Sequence, residues 1–168
     1  LCQMNYRAVF RYLGQVLSIE ALFMLPAMLV SVIYGEYAGA KTFLLTAGLT
    51  LLVGVLLSCI QIRENIYARE GFVTVALSWI AMSFFGALPF WFSGAIPSFV
   101  DAWFETVSGF TTTGASILTE IEGLPYGILY WRSFTHWLGG MGVLVFLLAI
   151  VPLARGNGDT LFLMRAES

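Results

Sequence analysis

Charge is scarce in this 168-residue sequence: 11% of its residues are Asp, Glu, Lys or Arg, against about 25% in an average soluble domain. A chain with so few charges cannot clothe an ordinary globular surface, which excludes a soluble enzyme and a disordered region. Nor does one sign dominate. Eight basic residues face ten acidic ones, a net charge near −2, so the basic footprint of a DNA or RNA binder is missing. The one histidine, His136, rules out a multi-histidine metal site built by this chain alone. The two cysteines, Cys2 and Cys59, have neither metal-ligand spacing nor the pattern of a disulfide framework. What is abundant is apolar surface, at 59% hydrophobic residues. The chain reads as an all-α integral membrane protein with room for about four spanning helices.

A spanning helix needs about 20 mostly apolar residues. Four stretches qualify: Leu13 to Tyr34, Thr42 to Ile62, Phe72 to Phe92 and Leu129 to Leu153. Glu20 is the only charge in the first, and Arg132 and His136 lie near the start of the fourth. The first stretch is too long for a signal-peptide core and no small-residue cleavage site follows it; Met4 reads as a plausible start. Arg7, Arg11, Arg63, Arg69, Arg155 and Arg165 fall on one side of these spans, and Lys41 and Arg132 on the other. By the positive-inside rule both termini are expected in the cytoplasm.

The link from Ser93 to Ile128 is expected outside, and it is too apolar for a solvated loop. Pro97 and Ser98 suit a helix start, with Asp101 three residues on in the manner of a capping box. Phe99 to Gly109 then predicts a helix of roughly 16 Å, about half the hydrocarbon thickness. Thr111, Thr112 and Thr113 disfavour its continuation, and Gly114 permits a positive φ. A short extended strand over Thr112, Thr113, Gly114 and Ala115 can therefore turn successive carbonyls toward one axis. Carbonyls arranged in this way replace the hydration shell of a monovalent cation, and the C-terminal end of the half-helix adds a favourable dipole. Such backbone is tolerated at membrane depth only where it is buried or lines a wet cavity. Helix, half-helix, filter strand and helix make one pore-loop unit.

The stretch FETVSGFTTTGAS, followed by WRSFTHWLGGMGVLVF, resembles the first pore repeat of the TrkH/KtrB family of bacterial potassium-uptake proteins. The likeness is most specific over residues 104–146, and the first two spans fit the extra helix pair of TrkH-type members. The resemblance implies an accessory helix pair over residues 1–70, a first pore repeat over 71–154 and the start of a cytoplasmic linker over 155–168. It places Thr112, Thr113, Gly114 and Ala115 on the selectivity filter, flanked by Thr111 and Ser116, with K⁺ held by the carbonyls of Thr112, Thr113 and Gly114. It further implies a multi-pass protein of the bacterial inner membrane and a pore completed by three more repeats, which makes this chain a fragment. The expected partners are a second copy and a cytoplasmic nucleotide-binding subunit of the TrkA/KtrA kind. No cofactor is expected in this chain, since that subunit binds its own nucleotide.

Several residues carry expectations of their own. Glu105 and Arg132 are the candidate filter supports: Glu105 as a hydrogen-bond acceptor behind the filter, Arg132 as the partner of an outer acid or a filter carbonyl. Asp101, Glu120 and Glu122 lie at the outer mouth, where acids concentrate cations or are simply solvated. His136 reads as a packed residue, Gly139, Gly140 and Gly142 as sites of close helix approach, and Glu20 as an acid paired within the protein or near the membrane surface. No nucleophile or metal set accompanies His136 and Glu105, so an enzyme is not expected. Two alternatives to the four-repeat pore remain: a homotetramer of this chain, and a non-conducting membrane fragment.

Overall fold

The computed structural model describes residues 5–61 and 68–154, with side chains placed for all of these except 68–70 and 143–154. Cys2, Arg63, Arg69, Arg155, Arg165 and the linker from residue 155 lie outside the described side chains. Among the described residues six helices follow one another: α1 (Tyr6–Ile33), α2 (Tyr37–Ser58), α3 (Ala68–Gly86), α4 (Leu88–Phe92), α5 (Phe99–Phe110) and α6 (Tyr126–Ala154). Among the described residues there is no strand, and three helical stretches are long and apolar enough to cross a membrane: Tyr6–Ile33, Tyr37–Ser58 and Gly71–Phe92. The 29 residues of α6 would span roughly 43 Å at 1.5 Å per residue, ample length for a fourth crossing. The protein is an all-α integral membrane protein.

Helix α1 starts before its apolar run because Asn5 caps it, its side chain accepting from the N–H of Ala8 at 3.2 Å. Pro26 lies inside α1 without ending it, as membrane helices allow. The third span, expected over 72–92, is the helical stretch Gly71–Phe92. One residue, Ala87, still with helical φ and ψ, divides it into α3 and α4, because Pro89 lacks an N–H and its ring crowds the carbonyl four residues back. The half-helix matches its expected length, running Phe99–Phe110. Ser98 caps it, accepting from the N–H of Asp101 at 3.4 Å.

Helices α1 and α2 form a close antiparallel pair. At their crossing a side chain on Gly14 would collide with the Gly54 carbonyl and the Ser58 backbone. Leu22, Leu29, Leu44 and Leu52 are exposed on the outer faces of the pair, the surface a lipid bilayer would cover. The core lies at the end of the bundle that carries the half-helix, where Met24, Phe43, Phe90, Ala102, Ile128 and Trp131 pack together. Trp131 is fully buried at its centre. Its indole N–H donates to the Gly86 carbonyl at 2.9 Å, satisfying one of the free carbonyls at the end of α3.

Candidate functional site: the loop after the half-helix

Helix α5 stops by a specific device. The N–H of Thr113 donates to the Ser108 carbonyl at 3.0 Å, and the N–H of Thr112 to the Gly109 carbonyl at 3.0 Å. This two-bond helix stop normally carries glycine at its left-handed residue. Here that residue is Thr112, with φ +56°, an unfavourable conformation for a β-branched side chain. Gly114, two residues on, has φ +77°. Two left-handed residues in three force the chain to turn sharply off the helix axis. The segment expected as a short strand pairs with no other strand, so it is irregular backbone held by side chains.

Those side chains come from the half-helix and from α6. Ser108 Oγ donates to the Ala115 carbonyl at 2.5 Å. Glu105 is buried, and its carboxylate gathers three donors: Ser116 Oγ at 3.0 Å, the N–H of Ile117 at 3.1 Å and Arg132 Nε at 2.7 Å. The partner of Arg132 is therefore Glu105, while Asp101, Glu120 and Glu122 form no ion pair among the described residues. Thr111 Oγ1 donates its single proton to the Val107 carbonyl at 2.7 Å and so accepts from Thr113 Oγ1 at 2.7 Å. The loop is pinned at both ends, at residues 111–113 to the last turn of α5 and at 115–117 to Ser108 and Glu105.

Between the pins the backbone is unpaired. The carbonyls of Thr112, Thr113 and Gly114 accept no hydrogen bond from any described residue, and all three residues are exposed. Ala115 differs, since its carbonyl already holds the Ser108 hydroxyl. Three consecutive free carbonyls, held at both ends and set at the C-terminal end of a helix dipole, can ligate a cation and repel an anion. Among the described residues no group of three or more His, Cys, Asp or Glu side chains is placed to hold a metal ion.

Close packing fixes α6 behind the loop. A side chain on Gly139 would collide with the Phe110 carbonyl, and one on Gly109 with Thr135 Oγ1. Gly140 merely approaches Thr112, and Gly142 faces Trp79 of α3. His136 Nδ1 lies 3.0 Å from the Arg132 carbonyl on its own helix.

Two acids behave in ways that sequence reading missed. Glu36, between α1 and α2, reaches across to α6: its carboxylate accepts from the N–H of Tyr126 at 2.9 Å and of Gly127 at 3.2 Å. Both are free donors of a helix N-terminus. Tyr34 stacks on Tyr126 with centroids 4.1 Å apart, and a side chain on Gly127 would collide with Ser31 Oγ. A lone acid in a helix turn was the only available signal. Glu20, expected to be paired, is fully buried, and neither of its oxygens has a hydrogen-bond partner among the described residues. Its Oε1 lies beside Gly86, where an added side chain would also meet a Thr106 methyl and the Phe110 ring.

Comparison with known proteins assigns the class and then the family. Apolar spanning helices with a short buried-side helix between them define a membrane protein, and the family model for TrkH, a cation transport protein, matches residues 40–168. The chain belongs to the TrkH family of cation transport proteins. It is 38% identical over 162 residues to the Trk system potassium uptake protein TrkH of Halomonas elongata, covering 95% of this chain and 33% of that protein. The Escherichia coli K12 protein of the same name is 38% identical over 167 residues, covering 98% of this chain and 34% of that protein. A cation transporter of Methanocaldococcus jannaschii is 36% identical over 171 residues, covering 100% of this chain and 35% of that protein. The chain thus spans about a third of the length of these relatives. Their names are those of transporters, not enzymes.

Proposed function

We propose that this chain takes part in potassium uptake across a bacterial inner membrane, as the first quarter of a four-repeat cation pore. The observation that carries this reading is the run of unpaired carbonyls at Thr112, Thr113 and Gly114, pinned on both sides and lying at the C-terminal end of a half-length helix. Dehydrated K⁺ binds these carbonyls, with Ala115 closing the filter and Thr111 and Ser116 flanking it. Glu105 and Arg132 support the loop from behind. Helices α1 and α2 form an accessory pair, and α3 to α6 form the repeat, with both termini cytoplasmic. Three further repeats complete the ring, since one strand supplies a quarter of each carbonyl ring. The assembly is a dimer regulated by a cytoplasmic nucleotide-binding subunit of the TrkA/KtrA kind. Support comes from the potassium-uptake names of relatives that match nearly the whole chain.

The test is Rb⁺ uptake and growth on limiting K⁺ in cells lacking their own potassium uptake, using the full-length protein as encoded, with and without Gly114→Ser. A serine forced to a positive φ distorts the carbonyl column, so the expected result is loss of uptake with the protein still present in the membrane. Uptake unchanged by Gly114→Ser overturns the filter assignment. Uptake by residues 1–168 alone favours the homotetramer.

A further inference from the structure

We propose that Glu20 is an intramembrane proton-binding site, its carboxyl standing as the neutral acid where α1 meets the ends of α3 and of the half-helix α5. The position is set by the helix. Glu20 lies midway along Tyr6–Ile33, roughly 20 Å from either end at 1.5 Å per residue, and so near the middle of a bilayer. It is fully buried, and neither oxygen has a hydrogen-bond partner. A carboxylate left in this way in a low-dielectric interior is far more costly than the neutral acid.

The surroundings point the same way. A side chain placed on Gly86 would come within 3.0 Å of Glu20 Oε1, 2.9 Å of the Thr106 methyl and 3.1 Å of the Phe110 ring. Glu20 Oε1 therefore lies so close against Gly86 that a side chain there would press on it. The one carbonyl identified there, that of Gly86, already accepts from Trp131.

No cation among the described residues compensates. On α1 itself the other titratable groups are Tyr6, Arg7, Arg11 and Tyr12, at its far inner end. Helix α2 brings Tyr37 and Lys41 at its outer end, and α3 brings none between Gly71 and Gly86. Helix α5 brings Asp101 and Glu105, and α6 brings Tyr126, Tyr130, Arg132 and His136. Arg132 is held by Glu105, His136 lies against the Arg132 carbonyl, and none of these groups bonds to Glu20. A metal ion would need several more oxygens than the two Glu20 supplies. A proton needs one. Because the same spot seats the last turns of α5, loss of that proton would place a bare charge against the base of the loop, so the site links proton occupancy to the seating of the half-helix.

The test is infrared difference spectroscopy of the full-length protein as encoded, in lipid nanodiscs, comparing wild type with Glu20→Gln. The expected result is a protonated-carboxyl C=O band at neutral pH, slow to exchange in D₂O and lost in Glu20→Gln. Loss of carboxylate bands instead overturns the proposal. The unaltered protein gives a second reading that does not depend on the variant folding. Solid-state NMR with ¹³C-carboxyl glutamate and ¹³C-glycine should show a protonated glutamate with a cross-peak to Gly86; a cross-peak from an ionised carboxylate overturns the proposal. Neither readout involves ion flux, so each outcome stands apart from the transport reading.

Discussion

Arg132 Nε lies 2.7 Å from Glu105 Oε1, and through that contact the second turn of α6 holds the half-helix and the far arm of the loop together. Glu105 is buried and Arg132 mostly so, with side-chain exposures of 1% and 18%. Breaking a buried pair by removing one partner costs about 3–5 kcal/mol, because the other charge is left uncompensated. Glu105→Gln in the full-length protein is therefore expected to lower the thermal midpoint strongly and to reduce Rb⁺ uptake. Arg132→Gln should do the same, and the double variant should cost clearly less than the sum of the two. Additive losses in a thermal-shift cycle would show that the two residues act separately.

Thr112 holds a left-handed conformation at a position where helix stops favour glycine. Such a conformation costs an L-residue about 1–2 kcal/mol, partly offset by the chain entropy that glycine loses on folding. Thr112→Gly is expected to stabilise the protein by about 1 kcal/mol, read as a raised thermal midpoint, while Rb⁺-over-Na⁺ preference in uptake falls as the loop gains freedom. A lowered midpoint would mean that the Thr112 side chain contributes more than its backbone strain costs.

Glu36 fastens the α1–α2 turn to the first turn of α6. Two hydrogen bonds to a charged acceptor are lost in Glu36→Ala, a cost of about 3–6 kcal/mol before water replaces them. The expected outcome is a lower thermal midpoint and faster proteolysis of the outer loops, with Glu36→Asp losing less. Proteolysis at the wild-type rate would show the clasp to be dispensable.

Gly139 and Gly140 are neighbours with opposite expected behaviour. Gly139→Ala drives a methyl into the Phe110 carbonyl, which separates α6 from α5 and should abolish accumulation or uptake. Gly140→Ala meets only ordinary contact with Thr112, 3.9 Å away. It should leave uptake intact and stabilise by about 1 kcal/mol through helix propensity. Equal effects at both positions would contradict the packing described above.

The spanning helices and the half-helix were legible because hydropathy and capping are local. Ser98, Asp101 and the threonines bound α5 within a residue of its observed end. The one-residue interruption at Ala87 is equally local, since Pro89 carries it. Glu105 was expected to accept from backbone behind the filter and Arg132 to meet an outer acid or a filter carbonyl; their pairing with each other needs the fold, because 27 residues and an exposed loop separate them. Glu36 and the N-terminus of α6 are 90 residues apart, and nothing in either segment marks the other. Glu20 read as a paired acid because pairing is how membrane acids are usually accommodated. Its unpaired state among the described residues depends on tertiary packing, which places it beside Gly86 and which no periodicity reveals.

The most direct measurement is the anomalous scattering of Rb⁺ in crystals of the full-length protein. The account predicts Rb⁺ peaks on the pore axis at coordinating distance from the carbonyl oxygens of Thr112, Thr113 and Gly114. Rb⁺ density elsewhere, with those three carbonyls unliganded, would contradict it.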